Sequence, residues 1–229
     1  MRGRPAVIDP LRRRAFGAAL LLAAGIAVPG AASAGSYEDY FRAVQIDNAQ
    51  TVRKLLALGF DPNTIEPQRG DTGMILALRE ESMDVFRVLL EAPGIDIDAH
   101  AFNGDTALMI ASFQGNLPAV QALLARGAQV NREGWTPLHY AATNGHDDVV
   151  RLLIEKGARL DARSPNNTTP MMMAAWRGHI YTVKVLLDAG ADATLKNDHG
   201  MTAIDFARSA DHQDIVEGLT WRLQRAGKL

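Results

Sequence analysis

The chain has 229 residues, a formal net charge of −2 and no cysteine. The lack of cysteine excludes disulfides, thiol catalysis and thiolate metal sites. The slightly acidic balance argues against nucleic acid as a partner, because phosphate binding needs a basic face.

The N-terminal segment differs in character from the rest of the chain. Residues 1–14 are basic, residues 15–28 ("AFGAALLLAAGIAV") are apolar, and Ala32-Ser33-Ala34 is a small-residue cleavage pattern. An apolar run of this length is too short to span a bilayer comfortably as a helix. The pattern therefore predicts a secretory signal peptide over residues 1–34, cleaved after Ala34, with an uncleaved anchor as the alternative. "RRAF" resembles a twin-arginine signal only faintly, so both export routes stay open.

Cleavage would change the charge of the protein. The leader carries five arginines and one aspartate, a net of +4, so the remainder of the chain carries −6. That remainder has no second apolar run long enough for a membrane span. A bacterial-type signal on a cysteine-free chain indicates export to the periplasm of a Gram-negative cell, where we expect a monomer.

One unit recurs along the rest of the chain. The threonines that open it stand 34, 30, 33 and 33 residues apart, at Thr72, Thr106, Thr136, Thr169 and Thr202. We place the missing residues of the 30-residue spacing in the connection "QVNREG", which is shorter by roughly the tip of a hairpin. Insertions and deletions in repeat arrays usually lie in such loops. With a degenerate first copy, the pattern predicts six units over residues 37–66, 69–101, 103–132, 134–166, 167–198 and 199–229.

The clearest copy is "GWTPLHYAATNGHDDVVRLLIEKGA", residues 134–158. Thr136 can cap a helix N-terminus and Pro137 suits its first position. Gly145 ends that short helix cheaply, because glycine accepts a left-handed backbone. A second helix follows with a buried stripe at helical spacing. The stripe consists of Val149, Val150, Leu152 and Leu153.

These residues resemble an ankyrin repeat, whose signature is T-P-L-H-x-A at a 33-residue period. The resemblance covers roughly residues 37–223. It implies an all-α solenoid over residues 35–229, with about six helix-turn-helix repeats joined by β-hairpin-like loops. Two departures are local. Met172 stands where the family has histidine. Asn167 occupies the hairpin position that is usually glycine, and asparagine is the next best residue for that backbone conformation.

Catalytic and metal-binding patterns are missing from the sequence. There is no G-x-S-x-G, phosphate-cradling loop or H-E-x-x-H, and the histidines recur with the repeat. We therefore expect a non-catalytic protein without metal or cofactor, an enzyme with an unrecognised site being the alternative. Met171, Met172 and Met173 could bind copper(I) or be oxidised, but they point in three directions on a helix, which favours core packing.

The ankyrin resemblance implies a protein partner, bound on the concave surface of hairpin tips and first helices. The family's variable positions lie just before the T-P pair and just before the inter-helix glycine. In this sequence they are Asp71, Arg79, Glu80, Asp105, Phe113, Gln114, Trp135, Thr143, Asn144, Thr168, Trp176 and Arg177. Phe113, Trp135 and Trp176 come from adjacent units, and aromatic side chains are enriched in binding hot spots. The alternative is that these aromatics merely cover neighbouring helices.

The resemblance leaves the biological role open. Bacterial relatives with a signal peptide and a short ankyrin array are associated with periplasmic catalase or oxidative-stress defence. An immunity protein against an envelope-acting toxin is a second candidate of the binding class. Fold alone does not decide between such roles.

Overall fold

The computed structural model describes residues 34–228, so the predicted signal peptide, residues 1–34, lies outside the described residues except for Ala34. This part of the chain contains twelve helices, two isolated antiparallel bridges and no extended strand. The helices are α1 (Ala34–Gln45), α2 (Ala49–Ala57), α3 (Gly73–Arg79), α4 (Met83–Leu90), α5 (Ala107–Gln114), α6 (Leu117–Ala125), α7 (Pro137–Thr143), α8 (Asp147–Glu155), α9 (Pro170–Trp176), α10 (Ile180–Asp188), α11 (Ala203–Ser209) and α12 (Gln213–Arg225).

The helices form antiparallel pairs that stack in chain order. Each odd-numbered helix packs against the even-numbered helix that follows it and against the next odd-numbered helix. The even-numbered helices form a second row. Each pair buries its apolar stripe mainly against neighbouring pairs, so stability is largely a sum of nearest-neighbour contacts. The predicted all-α ankyrin-repeat solenoid is confirmed.

Threonine caps start the odd-numbered helices from α3 onward. The Oγ1 atoms of Thr72, Thr106, Thr169 and Thr202 each accept a bond from the backbone N–H three residues ahead. Each bond satisfies an N–H that the helix itself leaves without a partner. The predicted cap bond is confirmed at those four positions. At Thr136, before α7, the Oγ1 atom instead lies 2.9 Å from Nδ1 of His139.

A histidine of the following repeat covers the glycine in three of the turns between paired helices. Gly145 has a φ of +69°, and a Cβ at this position would lie 2.4 Å from Nδ1 of His179. His179 Nε2 lies 3.1 Å from the carbonyl oxygen of Thr143. Glycine is required at Gly145 both by the left-handed backbone and by the imidazole ring that rests on it.

The connecting loops are hairpin-like, with one exception. In the fourth loop, between α8 and α9, Ser164 N donates to Thr168 O, and Asn167 has a φ of +58°, so the left-handed conformation predicted for this asparagine is confirmed. The loop at residues 129–136 has no such cross-loop backbone bond within the described chain. Instead, the side chain of Asn131 donates to the carbonyl of Gly157 and accepts from the N–H of Arg159. The missing tip explains the 30-residue spacing.

The apolar stripe of α8 shows where the core lies. Val149, Val150 and Leu153 are buried, whereas Leu152 is half-buried and packs against the edge of the same cluster. The core runs without a break from α1 to α12. The stack thereby presents its odd-numbered helices and loop tips as one continuous face.

Candidate functional site

The exposed sides of α3, α5, α7 and α9, together with the loops before them, are called here the concave face. Near its middle, five residues line a cavity of about 250 Å³. This cavity is called the aromatic pocket, and its lining residues are Phe113, Trp135, Tyr140, Thr143 and Met173. Three of the predicted partner-binding residues, Phe113, Trp135 and Thr143, are therefore brought together.

The walls of the aromatic pocket support one another. The rings of Phe113 and Tyr140 meet edge to face with centroids 6.0 Å apart. Trp135 meets the ring of His139 in the same manner at 5.2 Å. Such edge-to-face pairs are favourable beyond the area they bury. The pocket is built before any ligand arrives, which lowers the entropic cost of filling it.

Trp176 and Arg177 lie at the end of α9, beyond the pocket. The Trp176 side chain is 44% exposed, and the Arg177 guanidinium lies 5.6 Å from the centre of its ring. Met173 of the pocket wall is one helical turn before them. The three aromatic residues predicted to form one row are therefore divided. Phe113 and Trp135 line the pocket, whereas Trp176 does not.

The predicted acidic residues Asp71 and Asp105 are buried beneath the concave face. The Arg79 guanidinium bridges them, with Nε 3.0 Å from Asp71 Oδ2 and Nη2 2.9 Å from Asp105 Oδ2. Arg69 Nε lies 3.3 Å from Asp71 Oδ2. A buried carboxylate needs such partners, because an unpaired buried charge is very costly. These two acids hold the surface in place and offer little to a partner, whereas Glu80 is exposed.

Tyr140 connects this ion-pair network to the aromatic pocket. Its hydroxyl donates to Asp105 Oδ1. Burial raises the pKa of Tyr140, and the hydrogen bond to the Asp105 carboxylate raises it further. The phenol therefore stays a proton donor at neutral pH and fixes the orientation of the ring.

Four of the predicted contact residues are engaged within the stack. Gln114 Nε2 donates to the carbonyl of Leu78 at 2.6 Å, and Asn144 Nδ2 donates to that of Phe113 at 2.7 Å. Thr143 Oγ1 donates to the carbonyl of His139 at 2.7 Å. Thr168 is 2% exposed. These four residues are partly or wholly occupied within the stack.

His139 fixes the loop that carries Thr168. Its Nδ1 accepts from the N–H of Thr136 at 3.2 Å, which leaves Nε2 to donate to the carbonyl of Thr168 at 3.0 Å. Burial lowers the pKa of His139 to about 4. A neutral ring suits this arrangement, since a proton on Nδ1 would face the Thr136 N–H. The predicted backbone-binding role of this histidine is confirmed.

Residues 34–228 hold no group of three or more histidine, aspartate or glutamate side chains placed to bind a metal ion. In the same stretch no helix is both long and apolar enough to cross a bilayer.

Two pocket residues, Tyr140 and Met173, were absent from the predicted contact set. Both lie one turn before a predicted position, Tyr140 before Thr143 and Met173 before Trp176. Side chains three residues apart on a helix share a face, so the spacing could have identified them. Met171 and Met172 are buried as predicted, but Met173 is only half-buried and lines the pocket.

The stacked helix pairs define a solenoid built from helical repeats. A family model described as ankyrin repeats (3 copies) matches residues 40–133, 94–164, 126–197 and 160–223, which overlap to cover most of the chain. The chain belongs to the ankyrin-repeat family. Such repeats are typically non-catalytic modules for protein–protein interaction.

Curated relatives share parts of this sequence. The B-cell lymphoma 3 protein homolog of Mus musculus is 32% identical over 73% of this chain and 39% of its own length. The transient receptor potential cation channel subfamily A member 1 of Homo sapiens is 31% identical over 50% of this chain and 10% of its own. The SH3 and multiple ankyrin repeat domains protein 1 of Mus musculus is 36% identical over 54% of this chain and 6% of its own length. The chain thus spans well under half of these relatives.

Proposed function

We propose that this protein is a non-catalytic binding module that holds a protein partner on its concave face. The observation that carries the proposal is the aromatic pocket with Trp176 and Arg177 beside it. Large aromatic and arginine side chains supply most of the energy of protein–protein interfaces. Phe113 and Trp176 are each 44% exposed on adjoining parts of one face, and neighbouring exposed apolar side chains are typical of interaction sites.

The burial of three predicted residues limits which side chains of this face can meet a partner. Asp71, Asp105 and Thr168 are too buried to meet a partner, so the contact surface consists of the aromatic pocket, Trp176, Arg177 and the exposed Glu80. The remaining predicted residues set the positions of these side chains. A surface held in place by its own hydrogen bonds loses little entropy when it binds.

The proposal includes export to the periplasm of a bacterial cell. It rests on the basic, apolar and small-residue segments of residues 1–34. In that compartment the partner could be a catalase or another stress-defence enzyme, or an envelope-acting toxin. The identity of the captured protein would decide between them.

The proposal is tested with two matched double variants of the full chain. Trp176→Ala with Arg177→Ala removes the exposed pair on the concave face. Trp221→Ala with Arg225→Ala removes a similar pair on α12, where the tryptophan is 54% exposed and the guanidinium lies 4.8 Å from its ring. Affinity purification from the source cells, followed by mass spectrometry, measures what each protein retains.

We expect the Trp176–Arg177 variant to lose a specific partner, with a weakening of about 2 kcal/mol or more. The Trp221–Arg225 variant should keep that partner. Both variants should melt within a few degrees of the wild type, since exposed substitutions are usually close to neutral. Equal capture by both variants would reject the concave face as the binding surface.

A further inference from the structure

The shape of the aromatic pocket limits what can occupy it. Its volume of about 250 Å³ lies below the roughly 300–1,000 Å³ of sites for drug-sized ligands. The rings of Phe113, Trp135 and Tyr140, the Met173 thioether and the Thr143 side chain provide its walls. The space suits one amino-acid side chain presented by another macromolecule.

The charges near the pocket determine what kind of side chain fits. Aromatic walls can bind a cation, since their ring faces are electron-rich. Here, however, none of the five residues that line the pocket carries a charge. The nearest carboxylate, Asp105, is already paired with Arg79 and accepts from Tyr140. No carboxylate lines the pocket to balance a buried cation, so the pocket favours an uncharged apolar side chain.

Arg177 supplies the second element of recognition. It is exposed, and within residues 34–228 no carboxylate forms an ion pair with it. Its guanidinium lies over the ring of Trp176. A cation stacked on an aromatic ring keeps its outer N–H groups available to a carboxylate. Charge complementarity therefore calls for an acidic group on the partner.

The spacing of these two elements follows from helix geometry. Met173 and Arg177 are four residues apart at the end of α9, a rise of about 6 Å along the axis. An extended chain advances about 3.3 Å per residue. Allowing for the reach of the arginine, the acidic residue would stand about two to four residues from the apolar one.

We propose that the concave face recognises an extended acidic peptide segment of its partner, in which one apolar side chain fills the aromatic pocket and a nearby carboxylate pairs with Arg177. This inference rests on the proposed function and specifies the chemistry of the partner. The aromatic pocket supplies most of the affinity, because its walls are desolvated when it is filled. The pairing with Arg177 sets the preference for acid, since exposed ion pairs contribute little affinity on their own.

The test is selection from a phage-displayed library of random 12-residue peptides on the immobilised full chain. Enrichment is scored against Thr143→Phe, which fills the pocket, and against Met173→Lys, which places a charge in its wall. Two different changes keep the test valid if one of them fails to fold, as judged by its melting temperature. Arg177→Glu is selected in parallel.

The wild type should enrich peptides with an apolar residue at one fixed position and Asp or Glu two to four residues away. Synthetic versions of these peptides should bind the pocket variants about 30-fold more weakly. Arg177→Glu should still select the apolar residue but prefer Lys or Arg beside it, and it should bind the acidic peptides about threefold more weakly.

Three results would overturn the inference: no enrichment over the pocket variants, equal binding by them, or an unchanged acidic preference in Arg177→Glu. If the Trp176–Arg177 double variant still loses its cellular partner while any of these results is found, the inference alone fails. If the cellular partner is also retained, the proposed function fails with it.

Discussion

At the scale of single residues, the Met172 sulfur accepts the hydrogen bond that the His139 ring accepts one repeat earlier. His139 Nδ1 accepts the N–H of Thr136 at the start of α7. At the equivalent place in α9, the Met172 sulfur accepts the N–H of Thr169 at 3.4 Å. Sulfur is a weak acceptor, and methionine has no second donor to reach the next loop. In the loop before α9, Ser164 Oγ instead donates to Asn166 Oδ1.

The first prediction concerns the pH dependence that His139 gives to stability. Burial lowers its pKa from an ordinary 6.5 to about 4. Between pH 6.5 and pH 4, the unfolded chain therefore binds a proton at this residue and the folded chain does not. Stability from this group is complete above pH 6.5 and is lost as the pH falls toward 4. Urea unfolding should therefore show a loss of about 2 kcal/mol between pH 7 and pH 5.

His139→Gln is the control for this prediction, because glutamine can bond to the loop but does not titrate. The variant should be less stable than the wild type at pH 7, and the gap should narrow by pH 5. A gap of constant size would show that the pKa of His139 is the same in the folded and the unfolded chain. Burial lowers the pKa of His179 in the same direction, so the variant retains part of the pH dependence.

At the scale of helices, each second helix is held by the stripe that it presents to its neighbours. In α8 the adjacent leucines differ in burial, with Leu153 fully buried and Leu152 half-buried. The helical period explains this difference, because consecutive residues lie about 100° apart around the axis. The same helix therefore contains a core position and its own control.

We predict that Leu153→Ala lowers the free energy of unfolding by about 2–5 kcal/mol, through lost burial and the cavity left behind. Leu152→Ala, which removes the same atoms from a half-buried position, should cost clearly less. Denaturant titration of both variants measures the difference. Equal losses, or a near-zero loss for Leu153→Ala, would contradict the register of the stripe.

Local chemistry made the helices and caps predictable, but it could not place the contacts between repeats. Threonine caps and the left-handed Asn167 depend on neighbours a few residues away, so they could be identified in the sequence. The pairing of Arg79 with Asp71 and Asp105 joins loops from separate repeats across 26 residues of chain. Treating every variable position as a contact therefore included acids that are buried. The leader at residues 1–34 and the binding role of the concave face stay predictions.

At the scale of the whole molecule, one set of side chains stabilises the stack of repeats and a different set forms the proposed contact surface. The buried threonine, histidine and carboxylate groups connect one repeat to the next, and Phe113, Trp135 and Trp176 lie on the face that these contacts hold rigid. A rigid scaffold that presents a few large side chains is an effective binding surface, since few atoms must become ordered when a partner docks. The central claim is that this face, and no other, meets the partner.

Site-specific photo-crosslinking in the source cells tests that claim most directly. A photoreactive phenylalanine analogue replaces either Phe113 on the concave face or Tyr181 on α10, which is 73% exposed and lies on the second row of helices. Both changes put one aromatic ring in place of another at an exposed position. The account predicts a crosslinked partner from position 113 and none from position 181. A partner crosslinked from position 181 but not from position 113 would contradict it.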